Sequence, residues 1–379
     1  MPSYSGVWTL PAQMQAVAAG TWPVAPIEGG LWSWGYNGFG QLGLNNTVPG
    51  SSPVQVGALT TWSQIASGIR HTLSIKTGGT LWSWGRTNDG QLGLGDVISR
   101  SSPVQVGALT TWSKVAAGGY HSLSIKTDGT LWSWGQGFFG QLGKNNATYY
   151  SSPVQVGALT TWSQIAAGRH FSIATKTDGT LWSWGRNQNG QLGLNDTVNR
   201  SSPVQVGALT TWSKVAGGDT HTVAAKTDGS LWVWGNNTFG QLGVNNTDYR
   251  SSPVQVGSLT TWFNISAGST HCIAAKTDGT LWAWGNNTSG QLGQNNVIWQ
   301  SSPVQVGALT TWSGISGGSS NTLAIKTDKT LWAWGQNSLG DLGLNDTNDR
   351  SSPTQIGALA AWVQLPKRPL STFAVAIKT

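Results

Sequence analysis

Five histidines, one cysteine and fourteen acidic residues are the groups in this chain that could do acid–base, nucleophilic or metal chemistry. His71, His121, His221 and His271 occupy one repeated position, and His170 lies one residue earlier in its own repeat. A zinc ion needs several ligands within about 2.0–2.3 Å; histidines spread one per repeat do not supply them, so a structural role is expected. Asp128, Asp178, Asp228, Asp278 and Asp328 all sit in a TDG, TDK or similar turn, and Glu28 is the only glutamate. General acid–base work asks for an isolated, perturbed carboxyl or a close pair, which one carboxylate repeated in one turn does not provide. The serines of the SSP motif have no identifiable His–Asp partners. The glycines of GQLG are not followed by the Lys-Ser/Thr of a phosphate loop. Cys272 stands where other repeats carry Ser or Thr and reads as a passive substitution; alone, it closes no intrachain disulfide. No catalytic residue, cofactor or metal is therefore expected, and the chain does not read as an enzyme.

The elements that position these residues form a strict fifty-residue repeat. LWSWG starts at Leu31, Leu81, Leu131 and Leu181 and returns as LWVWG at Leu231 and LWAWG at Leu281 and Leu331. SSPVQVG begins at Ser51 and every fifty residues to Ser301, then becomes SSPTQIG at Ser351. A third segment carries Trp62, Trp112, Trp162, Trp212, Trp262, Trp312 and Trp362, and a fourth runs from HTLSIKT at His71–Thr77 to FAVAIKT at Phe373–Thr379. Each segment is short, rich in Val, Ile, Trp and Thr, and bounded by Gly, Pro, Asn or Asp, the pattern of a β-strand. Asp-Gly in TDGT supplies the positive φ angles of a tight hairpin turn. Four antiparallel strands per repeat make a propeller blade, so the expected fold is all-β, a seven-bladed β-propeller spanning residues 31–379. Leu31–Gly35 is expected to join Pro353–Ile356, Trp362–Leu365 and Phe373–Lys378 in the blade that closes the ring, giving 28 strands.

The run GTLWSWG, its following GQLG and the HTLSIKT stretch resemble the repeat of the regulator of chromosome condensation family, over residues 30–379. That resemblance implies a seven-bladed propeller. Its members include a nuclear exchange factor for a small GTPase, modules of ubiquitin ligases and a secreted bacterial β-lactamase inhibitor. The matching residues build blades, so the resemblance transfers no activity.

Function is expected where the repeats differ. Variation concentrates after LWSWG (Tyr36–Phe39, Gln136–Phe139, Asn286–Ser289), before SSP (Asn146–Tyr150, Asn246–Arg250, Asn296–Gln300) and in a short turn (Ile69–Arg70, Gly119–Tyr120, Arg169–His170, Asp219–Thr220). If the four strands alternate in direction, all three stretches emerge on one face of the disc, while the near-constant GALTT and TDGT segments emerge on the other. Binding residues favour loops on rigid scaffolds, and aromatics and Arg are the usual anchors. Phe139, Tyr149, Tyr150, Tyr249 and Trp299, with Arg100, Arg200, Arg250 and Arg350, are the candidate exposed binding residues.

Residues 1–30 lie outside the repeat and read as an arm that docks on the ring or a neighbouring subunit, with a short helix candidate over 11–19 and Tyr4, Trp8, Met14 and Trp22 as its anchors. YSGVWTLPAQMQAVAAGTWP resembles segments of bacteriophage structural and tail-associated proteins. The N-terminus lacks the basic and apolar regions of a signal peptide, and no apolar run of about 18 residues could span a membrane. Net charge is +7, but the basic residues are scattered, so nucleic acid is not an expected partner. Only 9% of residues are charged, which argues against disorder. The leading expectation is a virion or extracellular scaffold attached by its arm and displaying the variable face. A freestanding protein- or glycan-binding module is the alternative, and a GTPase exchange factor or chromatin binder comes third.

Overall fold

A computed structural model describes residues 29–366 and 372–379. The arm, with its helix candidate and Tyr4, Trp8, Met14 and Trp22, lies outside the described residues. Every regular element among the described residues is a strand, twenty-eight in all, arranged as seven four-stranded antiparallel sheets. The seven-bladed propeller read from the repeat is the observed fold.

Blade one shows the plan. From the axis outward its strands are Trp62–Ser67, His71–Lys76, Leu81–Gly85 and Arg100–Gln105. The second strand is buried along nearly its whole length, whereas every residue of the outermost one is only partly covered. Blades two to six repeat this order. In the closing blade, Trp362–Gln364 and Phe373–Lys378 are joined by Gly30–Gly35 and Gly50–Gln55. The two chain ends pair through an unbroken register from Gly30↔Lys378 to Gly35↔Phe373. Ladder hydrogen bonds thus seal the ring and leave neither terminal strand as an unpaired edge.

The closure is two strands plus two, not the one plus three expected from the sequence. The SSP strand pairs backward with the LWSWG strand that precedes it, as in Trp82↔Gln105 and Gly85↔Arg100. Residues 353–356 accordingly lie in the outermost strand of blade six, Arg350–Ala360, and not in the closing blade. A positive-φ residue at the apex of each connection, such as Asn45 at 60°, helps reverse the chain so that the outer strand returns antiparallel.

The core lies between blades. Trp62, Ile65 and Trp84 of blade one pack with Leu31, Leu42, Val56, Phe373 and Val375 of the closing blade. The second tryptophan of each LWSWG is fully buried, and Trp84 Nε1 donates to the Gln41 carbonyl across the boundary at 2.9 Å. The first is only half-buried: Trp82 Nε1 donates to Thr80 Oγ1 at 2.9 Å, and Lys76 Nζ sits 3.5 Å from its ring centroid.

Candidate functional site

Antiparallel pairing fixes the two faces. The turn between the first and second strands (residues 68–70 in blade one) and the connection between the third and fourth (residues 86–99) share a face. The TDGT turn and the GALTT link emerge opposite. The first-to-second turns touch one another around the axis: Asp219 N donates to Ser269 O, and Ser269 N donates to Gly318 O, both at 3.2 Å. The variable residues therefore ring the axial mouth and the platform around it.

On this platform the aromatic and cationic side chains meet across blade boundaries. Phe139, from blade two, lies edge-on to the His170 ring of blade three at 5.0 Å, with the Arg186 guanidinium 5.4 Å from its centroid. Tyr120 stacks on the other side of the cluster, 5.3 Å from His170 at an interplanar angle of 19°. His170 Nδ1 is 3.1 Å from Gln136 Oε1, and Arg169 pairs with Asp219 at 3.6 Å. Burial, followed by the neighbouring Arg169 and Arg186 charges, pushes the His170 imidazole down to about 4, so it is neutral at pH 7. The same arrangement recurs at the closing blade, where Arg70 and Arg86 lie 4.8 and 5.3 Å from the Phe39 ring. Phe39 and Phe139 hold one repeat position, as do Arg70 and His170, and Arg86 and Arg186. Blade five has Thr270 and Asn286 there instead, so the cationic sector covers part of the ring.

The candidate residues divide. Tyr149, Tyr249 and Trp299 are exposed. Tyr249 is tied down by Asn236 and Thr238, at 2.9 and 2.7 Å from its hydroxyl, and Trp299 meets Phe239 edge-on at 4.7 Å. Phe139 and Tyr150 are half-buried, contrary to the expectation that both are exposed. Phe139 fills the Tyr120–His170 cluster, and Tyr150 begins an outer strand and packs on the blade one–two core. Their neighbour Phe138 is the exposed aromatic, at 63%, and lines a 280 Å³ hollow with Asn146 and Asn199. Arg100, Arg200 and Arg350 are ion-paired inside their own connections with Asp96, Asp196 and Asp346 at 2.5–2.6 Å, and Arg250 lies 3.5 Å from Asp248. They brace the loops. Sequence reasoning missed Phe138, Arg70, Arg86 and Arg186 as members of a site; the recurrence of Phe with a basic residue one blade on was the available signal.

The repeated histidines are buried between blades, and burial pushes His71 down to about 3 and His271 to about 4. Cys272 takes a hydroxyl's place, donating to the Gln241 carbonyl at 3.2 Å, and its burial raises the thiol well above its ordinary value. Among the described residues no group of three or more His, Cys, Asp or Glu is placed to hold a metal ion, and no helix is long and apolar enough to cross a membrane.

A profile of the RCC1-like domain matches residues 5–214, and the regulator of chromosome condensation (RCC1) repeat matches residues 228–275, 278–325 and 328–365. Among solved structures, Prp20p from Saccharomyces cerevisiae, studied for its binding to Gsp1p and histones, is 20% identical over 97% of this chain and 95% of its own, with a TM-score of 0.83. Human WBSCR16 is 23% identical over 92% and 100%, with a TM-score of 0.82. Yeast RCC1 (Prp20) bound to Kap60 gives 20%, 93%, 90% and 0.82. No curated protein sequence matches.

Proposed function

Because this chain belongs to the RCC1-like domain family, we propose that it is a non-enzymatic binding scaffold that takes a protein partner on its variable face. The observation that carries this reading is the recurring aromatic–cation arrangement, Phe39 with Arg70 and Arg86, and Phe139 with Arg186 beside the neutral His170 ring. Cations held against rings on a rigid platform have already given up side-chain freedom, which lowers the entropic cost of binding. Arg70, Arg86 and Arg186 have no carboxylate within ion-pair distance among the described residues. The favoured partner surface is therefore acidic, since like charges brought together across an interface cost several kcal/mol.

The test is site-specific photo-cross-linking in the native cell, with a photoreactive residue at position 138 on the variable face or at position 128 on the constant face. A discrete protein adduct from position 138 and none from 128 is expected; equal labelling from both faces would refute the reading.

A small GTPase as the partner is a narrower form of this proposal, favoured by the full-length likeness to Prp20p, which binds Gsp1p. It is checked by titrating GTPases onto the chain and following nucleotide release. Attachment of the disc to a virion, an extracellular surface or a neighbouring subunit through residues 1–30 is a separate proposal. Deleting 1–28 should then free an intact ring from its assembly.

A further inference from the structure

Recurring residues build most of a second kind of concavity, with parts of the variable connections, such as Arg200 and Arg250, at its edge. Grooves open between adjacent blades at four equivalent boundaries, with volumes of 810, 350, 490 and 540 Å³ at the seven–one, two–three, three–four and four–five boundaries. These are the sizes of small-ligand sites. In the first, Trp62 and Trp82 are lined up with Lys76, Leu59, Asn45 and Ser102. The others keep the indole pair, the leucine, the asparagine and the serine, as with Trp262, Trp282, Leu259, Asn245 and Ser302.

Three features point to a ligand class. Leu59, Leu159, Leu209 and Leu259 each leave about half their surface in solvent beside the indoles, an apolar strip that burial would stabilise. The ammonium groups of Lys76, Lys176, Lys226 and Lys276 stand 3.5–3.7 Å from the centroids of the groove-lining Trp82, Trp182, Trp232 and Trp282. Lys76 and Lys276 line their grooves directly, and among the described residues no carboxylate lines any of the four, Asp178, Asp228 and Asp278 lying near the last three lysines in their turns. Finally, an amide and a hydroxyl line the same part of every groove wall, Asn45 with Ser102, Asn145 with Ser202, Asn195 with Ser252 and Asn245 with Ser302.

We propose that the inter-blade grooves form a set of equivalent, individually weak sites for an acidic polysaccharide. Each groove seats one carboxylated sugar ring. Its apolar face lies against the exposed leucine and the edge of the indole pair, its carboxylate meets the lysine ammonium, and a ring oxygen or hydroxyl is in reach of the amide and hydroxyl groups. Repetition around the rim matches repetition along a polymer, so avidity multiplies weak contacts. The grooves share Arg200 and Arg250 with the variable connections but none of Phe39, Phe138, Phe139, Arg70, Arg86 and Arg186, so the test does not depend on the partner proposed there.

The full chain is titrated with oligogalacturonate of defined length, by calorimetry and tryptophan fluorescence, beside a neutral oligosaccharide of the same length and polyglutamate. Expected are several equivalent sites per chain, a change in indole emission, and at least tenfold weaker binding by the neutral sugar and by polyglutamate. The fourfold variant Lys76→Gln, Lys176→Gln, Lys226→Gln, Lys276→Gln should lose at least tenfold in apparent affinity. Should that variant fold poorly, Leu59→Asp with Leu159→Asp, Leu209→Asp and Leu259→Asp, altered on exposed links, should show the same loss. Absence of oligogalacturonate binding, a single site per chain, unchanged binding by the variants, or equal binding of polyglutamate would overturn the proposal, the last by assigning the grooves to acidic peptides.

Discussion

His71 Nε2 lies 3.1 Å from Ser122 Oγ, across the boundary between blades one and two. Ser122 Oγ also reaches the Gln91 carbonyl of blade one at 2.8 Å, and Trp134 Nε1 of blade two donates to that same carbonyl at 2.9 Å. One buried carbonyl thus joins two side chains of the next blade. The unit recurs with His121 and Ser172, His221 and Cys272, and His271 and Thr322. Where the facing residue is Ala374, the histidine position holds Asn321 instead. Phe171 and Phe373 fill the same position, showing that its volume matters as well as its polarity.

His71→Phe should therefore be tolerated far better than His71→Ala. Truncation to Ala leaves a cavity worth about 2–4 kcal/mol by analogy with other large-to-small core changes, while Phe copies two natural blades. Chemical denaturation midpoints at pH 7.5 check this, and equal losses would refute the packing argument.

Acid should destabilise the ring through its buried histidines. The folded state holds His71 at about 3 and His271 at about 4, below the ordinary imidazole value near 6.5. The unfolded chain therefore binds more protons between about pH 6.5 and 4, and stability falls as pH drops through that window. His71→Phe should flatten this limb of a plot of melting temperature against pH.

Asp341 contributes with the opposite sign. It replaces the glutamine of the other GQLG motifs, and burial pushes its carboxyl up to about 7. The folded state thus holds a proton that the unfolded chain has lost above about pH 4, so this group weakens the ring as pH rises toward 7 and stays unfavourable above it. Asp341→Gln should stabilise by on the order of 2–4 kcal/mol at pH 9 and by little at pH 4. Melting curves at the two pH values decide it; a gain independent of pH would contradict the assignment to ionisation.

Gly43→Ala should cost more than Gly57→Ala. Both residues have positive φ, 74° and 62°, but a Cβ on Gly43 would lie 2.7 Å from Trp84 Nε1 of the next blade, whereas one on Gly57 meets nothing within 4 Å. Gly57→Ala should lose only the left-handed backbone penalty of about 1 kcal/mol. Gly43→Ala adds a displaced tryptophan and should lose at least twice that, read as denaturation midpoints.

Phe138→Ala should leave stability within about 0.5 kcal/mol, as expected of an exposed site, and weaken partner binding at least tenfold. Phe139→Ala should do the reverse in part, lowering the melting temperature by loosening the Tyr120–His170–Arg186 cluster. Calorimetry on both variants, with the cross-linked partner as ligand, separates the two residues.

The sequence by itself determined the period, the four strand segments, the number of blades and the division into a constant and a variable face. Those follow from local patterns: β-branched runs, Asp-Gly turns and a tryptophan pair repeated without slippage. Tertiary structure alone decided which strands share a blade. A repeat of four antiparallel segments reads the same wherever it is cut, so whether SSP opens a blade or completes the one before it is settled by long-range hydrogen bonds such as Gly85↔Arg100. It also decided that Phe138 and not Phe139 faces solvent, and that Arg100 and Arg200 answer Asp96 and Asp196 inside their loops while Arg70 and Arg86 meet Phe39 from another blade. Irregular connections have no periodicity from which side-chain direction could be read; the neighbouring blade sets it, and that neighbour is fifty residues or, at the seam, a whole chain away.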